Sequence, residues 1–118
     1  MLYTNLKHIE TASEHEQMIR EHENVIVCCG RMGGLVCIPV YNIMEELQKK
    51  YRHVKFFDIE FDNPESQHLR NDFKCNQMEE LPYLIYYKNG NPVQITSGYQ
   101  TKQQIVSIIN KQFEKPTH

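Results

Sequence analysis

The sequence lacks the features that identify nucleic-acid-binding, membrane and secreted proteins. Its 118 residues carry a formal net charge of −2, so no excess of lysine and arginine is available to attract nucleic acid or an anionic membrane. No apolar run approaches the length of a membrane-spanning helix. The first residues, MLYTNLKHIE, lack the charged and apolar segments of a signal peptide. We therefore expect a cytoplasmic protein without nucleic-acid or membrane partners.

Metal-binding and nucleotide-binding motifs are also missing. Neither Cys28-Cys29 nor Cys37 has a partner at the spacing of a zinc site, and the six histidines are scattered. The segment Gly30-Arg31-Met32-Gly33-Gly34 could bind an anion through its backbone N–H groups, but it lacks the Gly-Lys-Ser/Thr of a P-loop. We expect no metal and no cofactor. The four cysteines would be reduced in the cytoplasm, where a disulfide is more often transient and catalytic than structural.

The hydrophobic pattern predicts strands alternating with helices. Strand-like segments are expected at five places: 6–9, 24–29, 53–61, 82–88 and 91–97. The dipeptide Asn89-Gly90 predicts a tight hairpin between the last two, and Pro92 places the last strand at a sheet edge. Helical periodicity fills the intervals, and two capping boxes, Ser13 with Glu16 and Thr101 with Gln104, are expected to open the first and last helices.

This order predicts one α/β domain over residues 1–118. The front half alternates strand and helix, which favours parallel strands, whereas the hairpin near the C-terminus is antiparallel. The expected architecture has three layers: a mixed central sheet with helices on both faces. The continuous apolar run NVIVCC at 24–29 suits a central strand that is covered on both sides.

Three stretches resemble the thioredoxin family over roughly residues 9–113. They are NVIVCCGRMGGLVCIPVYNIMEEL, in which a strand and a glycine loop precede a helix containing a proline, DNPE after a strand, and LPYLIYYKNGNPV. The resemblance implies the three-layer thioredoxin-like fold just described. It also implies that Pro82, with Leu81 before it, is the proline that flanks the family's active site and is usually cis.

The departures from the family fall on its chemistry. Counting back from Pro39 places Arg31-Met32-Gly33-Gly34 where the family has Cys-x-x-Cys, and the chain contains no tryptophan. The buried acid of the family would fall near Val25 and is absent. No residue of the family's catalytic pair can therefore be assigned to this chain.

The remaining cysteines suggest a displaced thiol pair. Cys29 ends a strand and Cys37 lies early in a helix, with a glycine-rich loop between them that could bring the two β-carbons within disulfide distance. The start of the helix and the charge of Arg31 would stabilise a thiolate at Cys37. Cys28 alternates to the other face of the strand and is the poorer candidate. Cys75, in the approach to Pro82, could act as a third or resolving thiol.

One acid could replace the missing one. Asp58 lies toward the carboxyl end of its strand, where sites gather in parallel α/β sheets. We hypothesise that Asp58 accepts a proton from a site thiol.

Two functions remain open. The first is an atypical thiol–disulfide oxidoreductase that uses Cys29 and Cys37, with or without Cys75, on protein thiol or disulfide substrates and is reduced by a thioredoxin-reductase-like partner. The second is a redox-inactive thioredoxin-fold module that binds a protein through the surface around 30–34 and Pro82. Cysteine side chains on different faces of the sheet would exclude the proposed disulfide.

Overall fold

The computed structural model describes residues 5–31, 37–66 and 80–113. In these ranges three α-helices and five strands follow one another. The helices are α1 (Ala12–Glu21), α2 (Cys37–Lys50) and α3 (Lys102–Gln112). The strands are β1 (Lys7–Ile9), β2 (Asn24–Gly30), β3 (Lys55–Glu60), β4 (Tyr83–Lys88) and β5 (Asn91–Ser97).

The strands form a single mixed sheet in the order β1-β3-β2-β4-β5. The pairs β1–β3 and β2–β3 are parallel, and the pairs β2–β4 and β4–β5 are antiparallel. Strand β2 lies at the centre, and every one of its residues is buried. Its unbroken apolar sequence is what a strand covered on both faces requires. The predicted α/β class, with a parallel front half and an antiparallel C-terminal hairpin, is confirmed.

Two apolar clusters cover the two faces of this sheet. The first, which we call the α2 face, joins side chains of α2 and α3 to Ile26, Cys28 and Phe56 of the sheet. The second, the α1 face, joins Met18 of α1 to Val25, Val27, Cys29 and their neighbours. Successive residues of β2 alternate between the clusters because side chains alternate along a strand. The predicted placement of helices on both faces is confirmed.

Of the two predicted capping boxes, one is present in the structure and the other is not. Thr101 and Gln104 form the predicted reciprocal capping box at the start of α3. At α1 the cap is Thr11, whose side chain accepts a hydrogen bond from the Glu14 backbone N–H, so the predicted box at Ser13 is wrong. Both threonine and serine can cap, and the helix begins one residue after Thr11, which leaves Ser13 inside its first turn.

The hairpin between β4 and β5 is formed as predicted. Asn89 and Gly90 both have positive φ, 53° and 83°, as a tight turn with this sequence requires. Among the described strands, β5 pairs with β4 alone. The register of this pair shifts between Tyr86 and Tyr87 of β4, which face Gln94 and Pro92 of β5.

The helix predicted in the interval between the third and fourth strands is described only at its start. Residues Pro64–Ser66 form a 3₁₀ turn, with Asn63 accepting from the Glu65 N–H, and the remainder of that prediction lies outside the described residues. Among the described helices, none has the length and apolar character that crossing a membrane needs.

Candidate thiol site

The candidate site lies where β2 ends, α2 begins and β4 is about to start. Gly30 is at its centre, because a Cβ built there would lie 2.6 Å from the Tyr41 hydroxyl, 3.1 Å from Cys37 Sγ and 3.2 Å from Pro82 Cβ. Helix α2, through Tyr41 and Cys37, and the segment before β4, through Pro82, thus converge on one position of β2 that has no room for a side chain. The sequence predicts loop flexibility as the role of Gly30, whereas the observed role is close approach.

Cys37 shares its cluster with Cys28. Both are fully buried on the α2 face, and Cys29 is buried in the cluster on the α1 face. Alternation along β2 places Cys28, rather than Cys29, on the side of α2, which differs from the arrangement expected for the predicted pair. Which of the two is the partner of Cys37 stays a prediction. The structure does not bring the predicted pair, Cys29 and Cys37, to one face, and the three cysteines in the described ranges form no disulfide.

Burial governs the acidity of these thiols. It raises the pKa of the Cys28 thiol well above its ordinary value, and the neighbouring Cys29, Cys37 and Asp58 add to the increase. Burial also raises the pKa of Cys37, but here the Arg31 backbone N–H, which donates to the sulfur, and the Arg31 charge act in the opposite direction. Of these two thiols, Cys37 is the one with a positive charge beside it that favours its thiolate.

The Tyr41 side chain places its hydroxyl near the thiols of Cys28 and Cys37. Its oxygen is buried and makes no conventional hydrogen bond with any residue in the described ranges. Its proximity to the Cys28 sulfur lowers the pKa of that thiol and opposes part of the effect of burial. Burial, together with the neighbouring thiols and Asp58, raises the pKa of Tyr41 itself, so the phenol stays protonated and can act as a donor.

Asp58 is buried beside the same thiols. It is paired in register with Cys28, so both side chains lie on the α2 face, and none of its surface is exposed. Its Oδ1 lies 2.6 Å from Nδ1 of His8 on β1, a distance that places one proton between the two atoms. Sequence reasoning misses His8, although its register opposite Asp58 follows once β1 is paired with β3.

The His8–Asp58 pair reaches the surface through a cavity. This cavity has a volume of about 430 Å³ and is lined by both members of the pair and by Glu10, Thr11 and Asn63, among others. The His8 side chain is 28% exposed. A chain of groups that can hold a proton therefore runs from solvent through His8 and Asp58 to the neighbourhood of Cys28.

Arg31 forms the outer rim of the site. Its Nε and Nη2 donate to the two carboxylate oxygens of Asp62 at 2.7 and 2.9 Å, and its guanidinium lies 5.2 Å from the centre of the Phe61 ring. Phe61 in turn meets Tyr83 edge-on at 5.8 Å. The Asp62 carboxylate raises the pKa of Arg31 and fixes the direction of the guanidinium. Arg31 is thus a cation held in place at the surface by Asp62 and Phe61.

The other predicted site residues are placed as follows. The Leu81–Pro82 peptide bond is cis, Pro82 is buried, and Leu81 packs against both clusters. Met32, Gly33, Gly34 and Cys75 lie outside the described residues. Within those ranges no three His, Cys, Asp or Glu side chains are grouped as metal ligands would be.

The sheet order, the helices on both faces and the position of Pro82 define a thioredoxin-like fold. Comparison with solved structures agrees with this assignment, because thioredoxins from several organisms have the same fold. The thioredoxin of Plasmodium falciparum is 21% identical, with a TM-score of 0.76 over 91% of this chain and 99% of that one. A mutant thioredoxin from Halobacterium salinarum is 16% identical, with a TM-score of 0.80 over 94% and 93%. The thioredoxin of Fasciola hepatica is 19% identical, with a TM-score of 0.76 over 90% and 98%.

These likenesses show the fold of the chain. No protein-family model matches it. No curated protein matches it in sequence. The function must therefore be argued from the site.

Proposed function

We propose that this chain is a thiol–disulfide oxidoreductase of the thioredoxin fold in which Cys37 is the attacking thiol and Cys28, rather than Cys29, is its partner. The observation that carries the proposal is that Cys28 and Cys37 share one buried cluster with the Tyr41 hydroxyl. This cluster lies next to the His8–Asp58 pair, at the end of the sheet where β2 meets α2.

The electron balance is that of dithiol exchange. The Cys37 thiolate would attack one sulfur of a substrate disulfide, forming a mixed disulfide and releasing the first substrate thiol. Cys28 would then attack Sγ of Cys37, form an S–S bond within the protein and release the second substrate thiol. Two electrons pass from the protein to the substrate, and a dithiol reductant, such as a thioredoxin-reductase-like partner, must return them.

The described groups have distinct roles in this scheme. The Arg31 N–H and charge favour the thiolate of Cys37, and Asp58, as predicted from the sequence, would accept the proton of Cys28. The pathway from Asp58 through His8 to the cavity would return that proton to solvent. The role of Cys75 as a third thiol stays a prediction, as does a cytoplasmic location, where such thiols are kept reduced.

Thiol trapping with single variants tests the pairing. The protein would be oxidised mildly, alkylated, digested and mapped by peptide mass, in parallel with Cys28→Ser, Cys29→Ser and Cys37→Ser. A reversible link that survives Cys29→Ser and is lost in the other two variants is expected. The single variants are needed because Cys28 and Cys29 are adjacent and fall in one peptide. A link that survives Cys28→Ser and is lost in Cys29→Ser would contradict the proposal.

A second candidate function has its own observation. All three described cysteines are buried, and burial raises the pKa of both Cys28 and Cys37, which disfavours attack at neutral pH. A redox-inactive module would instead bind a protein segment across Arg31, the exposed Ile38 and the region of Pro82. Free thiols under both oxidising and reducing conditions would favour this module.

A further inference from the structure

The segment just before Pro82 carries a carboxylate that is held against the end of β5. The Gly98 N–H donates to the backbone carbonyl oxygens of both Glu80 and Pro82 at 3.1 Å, and the Ser97 hydroxyl donates to that of Glu80 at 2.8 Å. A Cβ built on Gly98 would lie 2.5 Å from Oε2 of Glu80 and 3.3 Å from its Cβ. The Glu80 side chain therefore lies over Gly98, where the absence of a side chain leaves room for it.

The Glu80 carboxylate is a charge without a partner of opposite sign. Glu80 is exposed, and no residue in the described ranges forms an ion pair or a hydrogen bond with its carboxylate. On the other side of Gly30, the positive charge of Arg31 is neutralised by Asp62. The charge that Glu80 adds beside Pro82 is therefore negative and available to a binding partner.

An exposed aromatic side chain follows Gly98 in the chain. Tyr99 is 51% exposed, more than any other large hydrophobic residue in the described ranges. Its ring packs against no other ring and no cation of those residues. A carboxylate next to an open aromatic face suits a lysine or arginine side chain, because the carboxylate pairs with the cation and the ring attracts it through a cation–π contact.

These two groups lie within reach of a peptide whose cysteine is attacked by Cys37. Cys37 Sγ and Pro82 Cβ lie 3.1 and 3.2 Å from the Cβ position built on Gly30, so the two atoms are at most about 6 Å apart. Glu80 lies two residues before Pro82, which adds at most about 7 Å along the backbone. An extended peptide advances about 3.3 Å per residue. A side chain two or three positions from the substrate cysteine can therefore reach Glu80.

We propose that Glu80 and Tyr99 form a subsite for a basic side chain of the substrate. The preferred substrates are then disulfides that have an arginine or lysine two or three residues from the attacked cysteine. This inference rests on the proposed thiol exchange, which it deepens by naming a class of substrate. The Glu80 carboxylate would pair with the cation, and the Tyr99 ring would cover part of the apolar stem of the same side chain.

Reduction of three matched peptides by the reduced, full-length chain tests this subsite. Each peptide has one cysteine, linked as a disulfide to a chromogenic aromatic thiol, and has arginine, glutamine or glutamate two positions to either side. Attack by a protein thiolate releases the aromatic thiol, whose absorbance gives the second-order rate constant, and the rate of Cys37→Ser is subtracted as background. At low salt the arginine peptide should react about threefold or more faster than the glutamine peptide, and the glutamate peptide more slowly than both. High salt should reduce these differences by screening.

Variants of the two residues locate the subsite. Glu80→Gln should abolish the preference for the arginine peptide, and Glu80→Lys should reverse it in favour of the glutamate peptide. Tyr99→Ala should reduce the preference about twofold, whereas Tyr99→Phe should retain it because a phenylalanine ring also attracts a cation. Glu21→Gln, the matched control, removes an exposed carboxylate at the end of α1, at the far end of β2 from Gly30, and should change nothing. The glutamine peptide should react at the parent rate to within about twofold in every variant, because it does not use the subsite.

The outcomes separate this inference from the function on which it rests. Equal rates for the three peptides, a preference that survives Glu80→Gln, or an equal loss in Glu21→Gln would overturn the subsite and leave thiol exchange standing. Release of the aromatic thiol that does not depend on Cys37 would overturn the role of Cys37 in thiol exchange, and the subsite with it.

Discussion

Replacing Gly30 by alanine should destabilise the fold chiefly through a collision with Tyr41. The added methyl would lie 2.6 Å from the Tyr41 hydroxyl and just above 3 Å from Cys37 Sγ and Pro82 Cβ. Contacts below 3 Å force a shift of one partner, and all three neighbours are packed at the junction of separate elements. Overpacking of this kind costs about 1–3 kcal/mol in free energy of unfolding, and we expect about 2 kcal/mol for Gly30→Ala.

The source of that cost can be isolated with Tyr41→Phe. This change deletes the closest atom, and because the hydroxyl makes no conventional hydrogen bond among the described residues, its loss alone should alter stability by less than about 1 kcal/mol. In the double variant, Gly30→Ala with Tyr41→Phe, the added alanine methyl no longer collides with a hydroxyl. We expect it to be less destabilised than the sum of the single variants, with a coupling energy of about 1 kcal/mol or more.

The assay is urea unfolding followed by circular dichroism, with reductant present, for the parent, both single variants and the double variant. Gly90→Ala is the matched control. Its φ of +83° strains an alanine, but the nearest atom to the new methyl is 3.7 Å away, so it should destabilise the fold without coupling to Tyr41→Phe. Additivity of Gly30→Ala and Tyr41→Phe to within about 0.5 kcal/mol would refute the described packing.

Three further changes test the cap, an ion pair and the buried acid. Thr101→Ala should cost about 1 kcal/mol in urea unfolding through loss of the capping box, and an unchanged midpoint would count against that cap. The hydrogen bond from Lys102 and its charge lower the pKa of Glu46, so this carboxylate stabilises the fold above its unfolded pKa of about 4.3, and the contribution disappears as pH falls through the lower folded value. Glu46→Gln should therefore flatten the acid end of the stability profile at low salt, and a profile identical to that of the parent would contradict the pair. His8→Ala deprives the buried Asp58 of its 2.6 Å partner and should cost about 1–3 kcal/mol, whereas an unchanged unfolding midpoint would show that the pair contributes nothing.

The fold follows closely from the sequence because its signals are local. The apolar run of β2, the Asn89-Gly90 turn and the box at Thr101 each act over a few residues, and the structure contains all three. The cap at Thr11 does not follow from the sequence, because two hydroxyl residues compete within three positions and pattern alone cannot rank them.

The site is harder to predict because it depends on side-chain direction across elements. The alternation of Cys28 and Cys29 is evident in the sequence, but which face of the sheet receives α2 cannot be read from β2 alone. Ile26 and Cys28 lie in the same cluster as the side chains of α2. The position of α2 in the structure is therefore needed to tell which of the two adjacent cysteines lies on the same face as Cys37. His8 escapes sequence reasoning for the same reason, since β1 meets Asp58 only through long-range pairing.

The two outer strands of the sheet also bear on how the chain behaves when concentrated. Strand β1 has only three residues, and β5 carries a proline and a register shift near its start. A strand from another molecule that added to the β1 edge would have few backbone groups to pair with. At the β5 edge its hydrogen bonds would be interrupted, because proline has no N–H to donate and a bulge bends the strand. These edges give the sheet built-in resistance to edge-to-edge aggregation.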